Sequence, residues 1–383
     1  MRCVKIMNCS PLVSFGGGEE EEQQHHGLPC SLKILELVDC KILKRPSLSS
    51  LTSMKELHIE NCPGLVSFSQ TSLPSTLKKL CIGSCGDLRC LLEEGKELHS
   101  VAETFSDSMF IEHLEIRYCG NLASLPGNLN KLSQLREITI YKCPRFVSFP
   151  EDGLPVTNLR KFYIGWCERL EALPRQMQNL TSLLELDIHA CPGIVSFPEE
   201  GFPTKITSLS MTNLIICNSL FEWGLHKLTS LTHLFITGGC PTVVCFPQEE
   251  IGMMLPASLT SLSIVNFPNL KYVALHSLSF LEELFISNCP KLTSLPEKYL
   301  PHSLLELYIR DCPLRKERPK MASFMNPGFI TMCRTGQQDG PRKFPLLLEK
   351  RKGNCKRQEI FKIDHIPCVY IDNKFIHDQE DEE

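Results

Sequence analysis

One phrase recurs along this chain, and its period leaves few folds open. Aligned on Cys-Pro it reads L-x-x-L-x-I-x-x-C-P-x-L-x-S-F/L-P. Clean copies run through Leu135, Ile138, Ile140, Cys143, Pro144, Phe146, Phe149 and Pro150, and through Leu183, Leu186, Ile188, Cys191, Pro192, Ile194, Phe197 and Pro198. Cys119, Cys143, Cys167 and Cys191 fall 24 residues apart, and the same slot recurs at Cys9, Cys40, Cys62, Cys85, Cys289 and Cys312. Leu214 and Phe267 replace the cysteine in two copies, and Cys240 comes one residue late. The count is about thirteen units, the first cut short.

The physics of the phrase is local. In L-x-I the two apolar residues sit two apart, so both face one side of a short strand. Strands of successive units then align in parallel. The cysteine turns inward where the strand bends, and a thiol suits that place as a small, weakly polar, buried group. Proline removes an N–H and stops the strand. The later Leu and Phe/Leu fill the far side of the same core. The return segments, Pro-Glu-Asp-Gly-Leu-Pro at 150–155 and Pro-Glu-Glu-Gly-Phe-Pro at 198–203, place Pro and Gly where a helix would need neither. The period lies within that of leucine-rich repeats. The expected fold is a leucine-rich-repeat solenoid, a horseshoe or arc, with a parallel β-sheet on the concave face and mostly loops and short turns on the convex face. One unit cannot bury its own edge, so stacked neighbours supply the stability, at roughly 1.5–3 kcal/mol for each buried Leu or Ile.

The period also sets expected boundaries. Residues 1–314 form the array, with insertions near 16–31, which holds Gly16 to Gly18, Glu19 to Glu22 and His25-His26, and near 92–109. In the second insertion the spacing of Leu98, Val101, Ala102 and Phe105 suits one short amphipathic helix. Residues 315–359 are basic and irregular and are expected to be flexible, with 319–348 read as an intruding insertion. Residues 360–376, which include Ile363, Ile366, Val369 and Ile371, read as a terminal strand or cap, and 377–383 as an acidic disordered tail.

Composition and missing motifs narrow the function. The 383 residues carry a formal net charge of −4, without the basic excess of a nucleic-acid binder. No apolar run approaches the ~18–20 residues of a membrane span. The start lacks a secretory signal, so a cytoplasmic protein is expected, with the nucleus as the other compartment allowed. In a reducing compartment the twenty cysteines are not a disulfide scaffold. Cys40, Cys62, Cys85, Cys119, Cys143, Cys167, Cys191, Cys289 and Cys312 read as a structural ladder of buried thiols. Cys81, Cys85 and Cys90 are spaced loosely like zinc ligands, but there is no C-x-x-C pair, and His25-His26 with Cys30 belongs to a solvated loop. No P-loop, G-x-S-x-G or H-E-x-x-H occurs; near Gly95-Lys96, Cys90 and Glu97 stand where a P-loop needs Gly and Ser or Thr. No catalytic, cofactor-binding or metal-binding residue is therefore expected, and no enzyme.

What remains is a binding surface. The positions flanking each L-x-I put Arg117 and Tyr118, Tyr141 and Lys142, and Tyr163 and Trp166 on three consecutive units, about 4.8 Å apart. Tyr, Trp and Arg dominate interface hot spots; against that, aromatic residues decorate strands through β-propensity as well. Phe235, Phe285 and Tyr308 continue the theme sparsely.

The phrase C-P-x-L-x-S-L/F-P, joined to loops of the type F-P-E-x-G-L/F-P, resembles the C-terminal repeat region of plant intracellular nucleotide-binding leucine-rich-repeat immune receptors, the coiled-coil class of disease-resistance proteins. Cys312-Pro313-Leu314-Arg315-Lys316-Glu317-Arg318 and His365-Ile366-Pro367-Cys368-Val369-Tyr370-Ile371-Asp372 match stretches near the end of that family. The resemblance implies a sensing or autoinhibitory region. Its partner would be a protein: a pathogen effector, a host guarded protein, or the nucleotide-binding domain of a receptor. With no P-loop in it, the chain reads as a fragment of such a receptor. Two other readings compete. The substrate-recruiting arm of an F-box ubiquitin ligase usually continues past its Cys with a helical segment, and no F-box precedes these repeats. An extracellular receptor ectodomain would carry a signal peptide and paired capping cysteines.

Overall fold

The computed structural model describes residues 2–8, 28–68, 73–92, 109–127, 129–155, 157–194, 201–212, 224–238, 241–247, 254–273, 275, 277–292, 295, 300–313, 366–372 and 374–378. They fall in two compact units, Met1–Lys205 and Ile206–Glu383. In the first unit, β1 (Cys3–Met7), β2 (Ile34–Val38), β3 (Glu56–Glu60), β4 (Lys79–Gly83), β5 (His113–Arg117), β6 (Glu137–Tyr141), β7 (Lys161–Gly165) and β8 (Glu185–His189) pair in parallel in chain order. In the second unit, β9 (Ser208–Thr212) and β10 (His233–Thr237) are followed by a two-residue strand, β11 (Cys245–Phe246). Then come β12 (Ser261–Val265), β13 (Tyr272–Val273), β14 (Glu283–Ser287), β15 (Glu306–Arg310), β16 (Cys368–Ile371) and β17 (Lys374–Asp378). Here β9, β10, β12, β14, β15 and β16 form the parallel ladder, and β17 closes it antiparallel to β16.

Register follows the phrase. Leu114, Ile138, Phe162 and Leu186 are successive partners, as are Ile116, Ile140, Ile164 and Ile188, and all are buried. In the second unit Leu234, Leu262, Leu284 and Leu307 do the same, beside Ile236, Ile264, Ile286 and Ile309. In β2 to β10, β12, β14 and β15 the second and fourth residues are buried and form the core, while most first, third and fifth residues face out. This is the leucine-rich-repeat solenoid that the period implies, built within each unit.

At the end of each rung the chain makes one unfavourable move. The residue after the strand adopts a left-handed conformation, for example Asp39 (φ 58), Asn61 (φ 53), Asn266 (φ 59), Asn288 (φ 52) and Asp311 (φ 50). Its N–H still donates to the neighbouring strand, as from Asn61 to the Gly83 carbonyl at 3.0 Å. The turn points the following cysteine inward. Its thiol donates to the carbonyl two residues back: Cys85 to Gly83 at 3.3 Å, Cys119 to Arg117 at 3.3 Å, Cys191 to His189 at 3.2 Å and Cys289 to Ser287 at 3.4 Å. Cys40, Cys62, Cys143 and Cys167 repeat the bond and are buried like these; Cys312 repeats it half-buried. Phe267 fills the slot by bulk.

The return side carries short 3-10 turns at Leu129–Lys131, Met177–Asn179 and Leu225–Lys227, and no α-helix occurs among the described residues. It also holds a second, fragmentary parallel ladder that the period does not announce. β11 pairs with β13, and single bridges join Phe68 to Leu92 and Ser124 to Ser148. Most of the expected insertions near 16–31 and 92–109, the proposed helix included, lie outside the described residues, as do 315–359 and 379–383. β16 and β17 follow β15 in the ladder. β17 runs to Asp378. Without it β16 would present an unpaired edge, and Asp372, with φ 42, turns the chain back to cover it.

Candidate functional site

The six candidate surface residues occupy three positions of the rung, two on the strands and one just past them. Arg117 and Tyr141 close β5 and β6 and are register partners. Tyr163 is the third residue of β7, beside Thr139. Tyr118 (φ 54), Lys142 (φ 51) and Trp166 (φ 57) lie just beyond the strands, at the left-handed position. The phrase leaves two residues between Ile and Cys; the first stays on the strand, and the second must turn the cysteine inward. Left-handed backbone costs a residue with a Cβ roughly 1–2 kcal/mol, which Gly avoids and Asn or Asp partly escapes. Most other rungs accordingly carry Asn, Asp or Gly there, as at Asn8, Asp39, Asn61, Gly238, Asn266, Asn288 and Asp311. Three neighbouring rungs instead carry Tyr, Lys and Trp.

Side chains from these positions interlock. Tyr118 meets Tyr141 edge to face, with centroids 5.7 Å apart and planes at 87°. Tyr141 lies 5.9 Å from Tyr163, and Tyr163 lies 5.8 Å from His189, extending the line of rings across four rungs. The Lys142 Nζ sits 4.9 Å from the Tyr118 ring, 5.3 Å from Tyr141 and 6.0 Å from Trp166, within or at the edge of cation–π range. Trp166 is 50% exposed, so much of its face is open to a partner. Gly165, the register partner of both Tyr141 and His189, makes this crowding workable. A Cβ there would stand 3.1 Å from the Tyr163 hydroxyl, 3.2 Å from the His189 Cβ and 3.3 Å from the Tyr141 Cδ2. Neither His189 nor Gly165 was singled out from the sequence; both occupy fifth strand positions, and that recurrence is the signal that could have found them. The aromatic theme is thinner in the second unit: Phe235 has Ser210 and Ser263 beside it, while Phe285 partners Tyr308, which stacks on Tyr370 at 5.4 Å.

Charges around the rings are largely matched, some across neighbouring rungs and some within one strand. His113 approaches Glu137 at 3.0 Å, Lys161 approaches Glu185 at 2.7 Å, Arg117 pairs with Glu115 at 2.5 Å and His189 with Asp187 at 2.8 Å. Lys78 hydrogen-bonds Glu112, and that bond lowers the Glu112 carboxyl below its usual value. Exposed pairs such as these contribute about 0–1 kcal/mol each, so they order the surface more than they stabilise it.

Burial pushes the Cys62 and Cys143 thiols up to about 11 and Cys85 to about 12, which keeps these three protonated and poorly nucleophilic. Cys81 faces the carboxylate of Glu115 at 3.8 Å, while Cys85 belongs to the buried ladder. Among the described residues no group of three His, Cys, Asp or Glu is placed to hold a metal. What the arrangement offers is a pre-formed aromatic and cationic surface on a stiff sheet.

Comparison with known proteins places the chain. No protein-family model matches it. It is 33% identical over 328 residues to a disease resistance protein of Arabidopsis thaliana, an alignment covering 76% of this chain and 22% of the relative. It is 26% identical over 289 residues to the TMV resistance protein N of Nicotiana glutinosa, covering 75% of this chain and again 22% of the relative. This is a leucine-rich-repeat chain related to plant disease-resistance proteins. It spans about a fifth of the length of those two relatives. Among solved structures it is similar to a leucine-rich-repeat protein of Leptospira interrogans, with 21% identity, 74% of each chain covered and a TM-score of 0.47. No helix among the described residues is long and apolar enough to cross a membrane.

Proposed function

We propose that this chain is the protein-recognition region of a plant immune receptor that acts inside the cell in defence against pathogens, and that it performs no catalysis itself. One observation carries the reading: Tyr118, Tyr141, Lys142, Tyr163 and Trp166 form a contiguous outward-facing cluster on the sheet face of a chain related to disease-resistance proteins. Rigid aromatic anchors on a sheet supply contact area at little entropic cost, as in protein-binding hot spots. The partner is a pathogen effector, a host guarded protein or the nucleotide-binding domain of a receptor.

The test is affinity capture from healthy and infected leaf extract. It uses the natural chain, Tyr141→Ala/Tyr163→Ala, and a control, Phe235→Ala, that alters a distant aromatic residue. A protein retained by the natural chain and the control but lost with the tyrosine variant supports the reading. Identical captured sets for all three chains would rule out this surface as the recognition site.

A further inference from the structure

Lys142 differs from the cations that surround it. Arg117, Lys161, His113 and His189 each have a carboxylate of this chain within ion-pair distance. Lys142 has none among the described residues; its ammonium is held by the faces of Tyr118, Tyr141 and Trp166. Ring faces attract a cation without neutralising it and leave its N–H donors available. The backbone tells the same story. Lys142 and two of the rings holding it, Tyr118 and Trp166, occupy left-handed positions where most other rungs use Asn, Asp or Gly. Five consecutive rungs, ending at Ser84, Tyr118, Lys142, Trp166 and Ala190, depart from that rule; on the middle three the side chains converge on one charge, and that convergence points to a functional site.

We propose that Lys142 is the anchor for a carboxylate presented by the protein partner, an Asp or Glu side chain or a chain terminus, with an adjoining apolar side chain lying on the exposed face of Trp166. The proposal rests on the protein-recognition reading above and adds the chemistry recognised. A single uncompensated ammonium suits one carboxylate. A phosphate chain is recognised by several cations or by the bidentate fork of Arg, and here Arg117 is already engaged by Glu115. Because the Lys142 ammonium already sits among three rings, less side-chain freedom is left to lose on binding.

The experiment pans a displayed library of random twelve-residue peptides on the full chain, then measures binding of the enriched peptides as synthetic molecules. Expected are peptides with an acidic residue beside an apolar one. Changing that acid to its amide, or Lys142→Gln in the protein, weakens binding about tenfold or more. The two changes together do little more than either one, and Lys142→Arg restores part of the loss. Circular dichroism of Lys142→Gln verifies that it stays folded. If the amide peptides bind as well as the acids while Tyr141→Ala/Tyr163→Ala abolishes binding, the carboxylate assignment fails and the recognition surface stands. If no enriched peptide depends on Lys142, Tyr141 or Tyr163, both fail. A mixed-sequence single-stranded oligonucleotide that binds through Lys142 more tightly than any peptide also overturns the carboxylate assignment.

Discussion

The left-handed rung end can be tested with a reciprocal pair of exchanges. Asn288 sits at φ 52, is exposed, and donates from its side chain to the Asn266 side-chain oxygen at 2.6 Å. Replacing it with Ala puts a residue with no local hydrogen-bonding capacity into left-handed backbone, at a cost of about 1 kcal/mol. It also removes an exposed side-chain hydrogen bond worth about 0.5 kcal/mol. Asn288→Ala should therefore destabilise by about 1–1.5 kcal/mol, well beyond the ±0.5 kcal/mol usual for a surface substitution. Ala190, at φ 45, already bears that strain. Ala190→Asn should relieve it and stabilise the chain by about 0.5–1 kcal/mol. Ala172→Asn supplies the control, since Ala172 is exposed and is not left-handed. Urea unfolding followed by far-ultraviolet circular dichroism reads all three, with an unchanged slope showing that the unfolded reference has not moved. Equal shifts for Ala190→Asn and Ala172→Asn, or no loss for Asn288→Ala, would refute the claim that the rung end is strained. The explanation offered for Tyr118, Lys142 and Trp166 would fall with it.

Further outcomes are expected. Leu186→Ala or Ile188→Ala, both buried in the first unit, should cost roughly 2–5 kcal/mol as large-to-small core changes. Tyr141→Ala on the sheet face should cost far less, and equal losses in denaturant unfolding would mean the strand register is wrong. The ladder thiols Cys62, Cys85 and Cys143 should label slowly in the native protein at pH 8 and fully after denaturation, because burial raises them to about 11, about 12 and about 11. Unfolded thiols ionise at about 8.5, so the contribution of these three to stability is complete below that pH and declines as pH rises towards 11–12. Rapid native labelling at pH 8 would contradict this. Deleting residues 319–348 should leave the unfolding midpoint unchanged or raised, since a shorter connection between β15 and β16 lowers a closure cost that grows only logarithmically. A deletion that unfolds the rung of Leu304, Leu307 and Ile309 would show that the segment belongs to the fold.

The sequence by itself determined the rung. A strand with buried second and fourth residues, an inward cysteine and a return of loops and short turns follow from spacings within one repeat. Each repeat needs only a similar neighbour on which to stack, so local periodicity is enough. The same spacings marked Tyr141, Tyr163 and Trp166 as outward residues. Only the tertiary structure decided how they meet. Tyr, Lys and Trp have no propensity for left-handed backbone, so nothing in Tyr118, Lys142 or Trp166 announces the conformation that the stacked cysteine slots impose on them. The three-ring setting of Lys142, the packing of Tyr163 and His189 over Gly165, and the β11–β13 ladder join residues a full repeat apart. Those contacts depend on side-chain direction and lateral register, which are set by the stack and not by the order of residues along any one rung.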